Sequence, residues 1–199
     1  MKIDSSLMFE PVKVGAMAAQ LEEAGFDGAY TFEGQSDPFI SVAAAAMNTQ
    51  KMELMTSIAV AFARNPMSLA YLGNDLQNLS GGRFILGLGA QVKAHIERRF
   101  SMPWGKPASR MREMVLAIKE IWNCWQTGER LRFEGEFYRH TLMSPVFSPP
   151  PNVHGVPPIY IAGVGPVMTE VAAEVGDGYF LHPFNTEKSM HELSLAAVQ

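Results

Sequence analysis

Cysteine is nearly absent from this chain: Cys124 is the single one in 199 residues. A lone thiol cannot close an internal disulfide, which points to a reducing compartment. Cys124 sits on a helical face between Asn123 and Trp125 and reads as a packing residue. Positive charge is also scarce. Sixteen Lys and Arg against 20 Asp and Glu give a net charge of -4, and the densest basic run is Arg98-Arg99, so there is no nucleic-acid footprint. No apolar run is long enough to span a bilayer. Met1-Lys2-Ile3-Asp4 runs straight into a strand-like segment and leaves no room for a signal peptide. The expectation is a cytoplasmic protein with neither membrane nor nucleic acid as a partner. His140, His154, His182 and His191 lack zinc-like spacing, and there is no nucleophile-elbow pentapeptide. What is present suits an ordinary globular domain, with 47% hydrophobic and 18% charged residues.

The chain reads as a repeated strand-then-helix unit, the pattern of a parallel sheet with helical crossovers. Strands are expected at 2–8, 27–33, 52–60, 83–89, 159–162 and 178–181. Helices are expected at 12–24, 39–48, from Pro66 to about Leu79, at 108–126, at 167–175 and from Thr186 onward, with a broken helical stretch at 92–100. Asp37-Pro38 and Asn65-Pro66 both read as an N-cap followed by proline at the first helical position. In the long helix, Met111, Met114, Val115, Ile118, Ile121, Trp122 and Trp125 form a stripe at helical period. Leu131 to Leu142 alternates like a hairpin, and the six prolines between Pro145 and Pro158 make an extended loop. A doubly wound sheet shares this βα order, whereas a barrel needs eight strands and roughly 250 residues. The chain stops inside a helical pattern. The expectation is a single partial α/β barrel domain over residues 1–199, with a hairpin and loop insertion at about 128–158.

Several residues have a possible chemistry. Gly87 and Gly89 share one strand face, and the missing side chains either admit a flat ring or allow tight packing at a bulge. Gly163-Val164-Gly165-Pro166 lies between a strand and a helix. Its amides and the positive helix end make an anion site, or else a plain βα turn. Glu33 ends the second strand, where a barrel's catalytic groups collect; the alternative is a solvated loop carboxylate. Asp37 reads as a cap rather than an acid catalyst. Trp104, Trp122 and Trp125 read as core or interface rather than as a cofactor stack.

Longer stretches carry a family resemblance. Met55-Thr56-Ser57-Ile58, Ala61-Phe62-Ala63-Arg64-Asn65-Pro66 and Leu79-Ser80-Gly81-Gly82-Arg83-Phe84-Ile85-Leu86-Gly87-Leu88-Gly89 resemble the luciferase-like monooxygenase family. The run from Gln91 to Phe100, with Met102-Pro103-Trp104, is similar to the branch that depends on the deazaflavin coenzyme F420. Ile159 to Pro166, continuing through Gly176-Asp177-Gly178, resembles the family's later phosphate loop. The resemblance spans essentially the whole chain. It implies a (β/α)8 TIM barrel of the bacterial-luciferase type, truncated here after about six strands. The implied activity is hydride transfer between F420 and a small organic substrate. An FMN-dependent monooxygenase fed by a separate flavin reductase and using O2 is the alternative, and a non-catalytic fragment is the third reading.

The same resemblance places the cofactor. Its phosphate lies at Gly163, Val164, Gly165 and Pro166, and its ring lies over a bulge with a non-proline cis peptide at Ser57-Ile58, near Gly89. Glu33 and His95 become the candidate catalytic groups. His95 stands where similar enzymes hold a polar side chain against the ring or the ribityl chain, and Gln91 follows the same logic; a surface helix histidine is the plain alternative. Related sequences tend to have histidine before Asp-Pro-Phe, whereas Ser36 stands there in this chain. Similar proteins are often homodimers.

Overall fold

A computed structural model describes residues 1–8 and 10–191. Six parallel strand positions curl into an α/β half-barrel. They are β1 (Asp4–Ser6), β2 (Gly28–Thr31), β3 (Glu53–Thr56) with its continuation β4 (Ala59–Val60), β5 (Phe84–Gly89), β8 (Ile159–Ala162) and β9 (Gly178–Phe180), in the order β1-β2-β3-β5-β8-β9. Between them run α1 (Pro11–Glu23), α2 (Pro38–Ala46), α3 (Pro66–Leu79), α4 (Lys93–Arg98), α5 (Pro107–Thr127) and α6 (Pro166–Val175). The expected insertion is a two-stranded antiparallel hairpin, β6 (Phe133–Glu134) and β7 (Arg139–His140). The helix expected from Thr186 begins as α7 (Glu187–Ser189), and residues 192–199 lie outside the described ones. Among the described residues no helix is long and apolar enough to cross a membrane.

Local chemistry starts the helices where the sequence places them. The Asp37 carboxylate accepts the Phe39 amide at 2.9 Å and the Asn65 side chain accepts the Ser68 amide at 2.9 Å, each ahead of a proline in the first turn. Each such cap is worth about 1 kcal/mol. The α5 stripe from Met111 to Trp125 is buried as its period requires. The first strand is shorter than the expected 2–8, yet single bonds continue its ladder: Asp27 N–H to the Ile3 carbonyl at 2.9 Å and Leu7 N–H to the Tyr30 carbonyl at 2.7 Å.

The expected third strand is in two pieces. Met55 pairs with Ile85, but Ala59 pairs with Leu88, so four steps on one strand match three on the other. This is a one-residue bulge, and the Ser57–Ile58 peptide within it is cis. Toward β5 the Thr56 hydroxyl replaces the lost ladder. It donates to the Gly87 carbonyl at 2.8 Å and accepts the Gly87 amide at 2.9 Å. Toward β2 the ladder holds, with Ser57 N–H to the Thr31 carbonyl at 2.7 Å and Glu33 N–H to the Ile58 carbonyl at 3.1 Å.

Of the two readings of the glycine-lined face of β5, tight packing at a bulge is the one found. A Cβ on Gly87 would lie 1.7 Å from the Thr56 carbonyl oxygen and 2.6 Å from the Phe180 ring, and one on Gly89 would lie 2.8 Å from Ile58. These glycines make room for the bulge and for two side chains.

At the opposite end of the sheet, one carboxylate anchors the start of β3. Glu22 accepts the amides of Gln50, Lys51 and Met52 at 2.7–3.0 Å. Its partial burial pushes its pKa up, but the three amides outweigh this and hold it below the ordinary glutamate value. A depressed carboxylate stabilises the fold above its unfolded pKa and loses that contribution as the pH falls through the folded value. Glu22→Gln is expected to destabilise the neutral protein by about 1 kcal/mol, kept small by screening at an exposed site. It is also expected to flatten the acid limb of stability, as urea melts at pH 7 and pH 4 would read.

Candidate functional site

The turns after β2, the bulge, β5, β8 and β9 converge at the C-terminal edge of the sheet, the end at which barrels and open parallel sheets bind ligands. They enclose a cleft of about 610 Å³. Glu33, Ser57, Ile58, Gly89, Gln91, Gly163, Val164 and Gly165 all line it. Residues scattered across more than a hundred positions are thereby gathered in one hollow. Pro166 is not part of the lining; it forms the first turn of α6 behind Gly165. His95 is not brought there either. It is exposed on α4, and the lining of that segment ends at Val92.

The loop at 163–165 is built to leave amides unused. The Tyr179 hydroxyl donates to the Gly163 carbonyl, and Gly165 O accepts both the Thr169 amide and the Thr169 hydroxyl at 3.1 Å. In a trans peptide the N–H points opposite the carbonyl, so the Val164 N–H is directed away from Tyr179. The amides of Gly163, Val164 and Gly165 make no hydrogen bond among the described residues. No side chain caps α6. Free amides beside a helix N-terminus suit an anion.

Glu33 is not a solvated loop carboxylate. Its side chain is 8% exposed and pairs with Arg64 at 2.5 Å. The same Oε2 accepts the Val60 amide at 2.8 Å, and Arg64 reaches on to Asp37 at 2.8 Å. The second carboxylate oxygen makes no hydrogen bond among the described residues. Burial lowers the affinity of Arg64 for its proton, but Glu33 and Asp37 outweigh this and hold its pKa above the ordinary arginine value. Gln91 adopts a left-handed backbone (φ 58), and its Oε1 accepts the Val92 amide at 2.9 Å, which leaves its Nε2–H groups as donors.

Trp104 packs against the core, as expected, and its other side lines the cleft. It meets Phe62 edge-on at 6.0 Å. Its position is set from behind by Arg110, a buried guanidinium that donates to the Pro103 carbonyl at 2.7 Å and to the Tyr138 hydroxyl at 2.9 Å, with Phe62 4.5 Å from its centre. Tyr138 lies in the hairpin, whose turn is held by Glu113 accepting the amides of Glu136 and Phe137 at 2.9 and 2.8 Å. Phe180, Met168 and His182 also line the cleft. His182 was met in the sequence as a histidine without metal spacing; its place at the end of a strand was the available signal. Among the described residues no group of three or more His, Cys, Asp or Glu is placed to hold a metal.

The family model described as luciferase-like monooxygenase matches residues 5–195. An uncharacterised protein of Mycobacterium tuberculosis is 50% identical over the whole of this chain, which spans 58% of that protein. The F420-dependent glucose-6-phosphate dehydrogenase of Mycolicibacterium smegmatis is 29% identical over 98% of this chain and 60% of its own length. Among solved structures, the monooxygenase RslO1 from Streptomyces bottropensis superposes with a TM-score of 0.81 at 24% identity, covering all of this chain and 66% of that one.

Proposed function

Because the chain belongs to the luciferase-like monooxygenase family, whose members include F420-dependent oxidoreductases and monooxygenases, we propose that the cleft holds coenzyme F420 and that the protein is an oxidoreductase transferring a hydride between this deazaflavin and a small organic substrate. One observation carries the reading: unused amides at Val164 and Gly165 share a single hollow with the Ser57–Ile58 bulge and Gly89. When bound, the cofactor supplies hydride exchange at its ring. The protein's part is binding and orientation. The 163–165 amides hold a phosphate, and Ile58, filling the space above Gly89, backs a flat ring. Gln91 offers N–H donors, and Glu33 keeps one free oxygen as an acceptor. The polar contacts thus rest on Glu33 and Gln91 rather than on the exposed His95.

The anion loop and the bulge would serve FMN equally, and the family's description as monooxygenases favours that second reading. Titration with F420 and with FMN, followed by fluorescence, separates the possibilities. Preferential F420 binding supports the proposal. Preference for FMN together with O2 consumption supports a monooxygenase. Binding of neither supports a non-catalytic chain. Gly165→Asp sharpens the test. Its Cβ would meet nothing within 4 Å, and its φ of -111° suits any residue. Aspartate at this N-cap is expected to leave stability unchanged or raised by a few tenths of a kcal/mol. Its charge lies where the phosphate would bind, so cofactor affinity is expected to fall by about tenfold or more.

A further inference from the structure

Tyr179 is not part of the cleft lining; it reaches the loop at 163–165 from behind. Side chains alternate along β9. Phe180 faces the interior, where it lines the cleft, so Tyr179 leaves the opposite face of the strand, toward α6. Its ring is half-buried and packs on the core, which holds the hydroxyl at the start of that helix. There the hydroxyl donates to the Gly163 carbonyl and lies 3.2 Å from the Thr169 hydroxyl. A phenol has one proton to give. With that proton on Gly163, Thr169 is the donor across the 3.2 Å contact, and it also reaches the Gly165 carbonyl at 3.1 Å.

The two carbonyls held in this way differ in what shares their peptide. Behind the Gly165 carbonyl is Pro166, which has no N–H, so bonds to that carbonyl set only the start of the helix. Behind the Gly163 carbonyl is the Val164 N–H. A bond at this carbonyl acts on that N–H in two ways. It fixes a peptide plane whose rotation glycine at 163 leaves soft, and so keeps the N–H on the side away from Tyr179. It also polarises the peptide, which makes the N–H a stronger donor. A donor oriented before its ligand arrives binds an anion without the cost of ordering the loop.

We propose that Tyr179 is a positioning residue for the cofactor phosphate: its hydroxyl, bonded to the Gly163 carbonyl, sets the direction and the strength of the Val164 amide. This rests on reading the loop at 163–165 as the phosphate site. Tyr179 acts through the peptide between Gly163 and Val164, not by contact with the ligand.

F420 and its phosphate-free deazariboflavin core are matched probes in fluorescence titrations of the full chain. Tyr179→Phe removes the hydroxyl and keeps the packed ring. It is expected to weaken F420 by about fivefold, the worth of one hydrogen bond, and the core by less than about twofold. A purely structural role would not produce that selectivity. Thr169→Val leaves the bond from Tyr179 to Gly163 in place and should lose less F420 affinity than Tyr179→Phe does. Undiminished F420 affinity in Tyr179→Phe, equal losses for F420 and the core, or a larger loss in Thr169→Val overturns the proposal. Inorganic phosphate, followed on the 15N–1H resonance of Val164, reads the cofactor assignment separately. If F420 fails to bind while phosphate shifts that resonance and binds about fivefold more weakly in Tyr179→Phe, the role of Tyr179 stands and the cofactor reading falls. If neither F420 nor phosphate shifts it, both fall.

Discussion

Gly87→Ala is expected to destabilise the protein by more than about 4 kcal/mol, a large fraction of a typical domain's stability. The added methyl would lie 1.7 Å from the Thr56 carbonyl oxygen and 2.6 Å from Phe180. The Thr56 backbone has no room to retreat. The Thr56 hydroxyl is bonded to both the amide and the carbonyl of Gly87, and β5 lies between β3 and β8 in the middle of the sheet. Overpacking that side chains alone could absorb costs about 1–3 kcal/mol; this clash is with backbone. Gly105→Ala is the control, because nothing lies within 4 Å of its Cβ, and a change within about 0.5 kcal/mol is expected there. Soluble yield and urea melts of the two variants measure the contrast. A Gly87→Ala protein as stable as the parent would mean that the bulge is not packed in this way.

Arg64→Met is the second large effect, about 3–5 kcal/mol destabilising, since it strands the buried Glu33 carboxylate. The loss should exceed what the deleted contacts alone account for. The double variant Glu33→Gln with Arg64→Met should therefore recover a substantial part of it, a coupling that a double-mutant cycle reads directly. The pKa of Arg64 is raised above a value already far from working pH. A raised base contributes stability below its unfolded pKa and loses it only above its folded one, so the pair persists through the neutral range. Loss of stability equal in the single and double variants would argue against Glu33 as the group left uncompensated.

The order of strands and helices was legible because it is local. The caps at Asp37 and Asn65 are made within three residues, and the α5 stripe follows helical period. The Ser57–Ile58 bulge and the loop at 163–165 were reached through resemblance to longer motifs, and both line the cleft. What escaped was non-local. The bond from Arg64 to Glu33 spans 31 positions, and nothing near Glu33 in the sequence distinguishes a paired carboxylate from a solvated one. The sequence left the Gly87 face as either a slot or tight packing, because the residues that fill it, Thr56 and Phe180, come from other strands. That Trp104, packed on the core as expected, also walls the cleft was not legible, because its placement depends on Arg110 and on a hairpin residue, Tyr138.

That hairpin has a further consequence. Inserted segments of a barrel usually drift freely, since they hang from the scaffold at two points. This one is wired to the tryptophan wall through the Arg110 guanidinium, which touches loop, helix and hairpin together. Changes in the length or pitch of the insertion are therefore expected to reach the hollow as changes in its shape, through the Arg110 link.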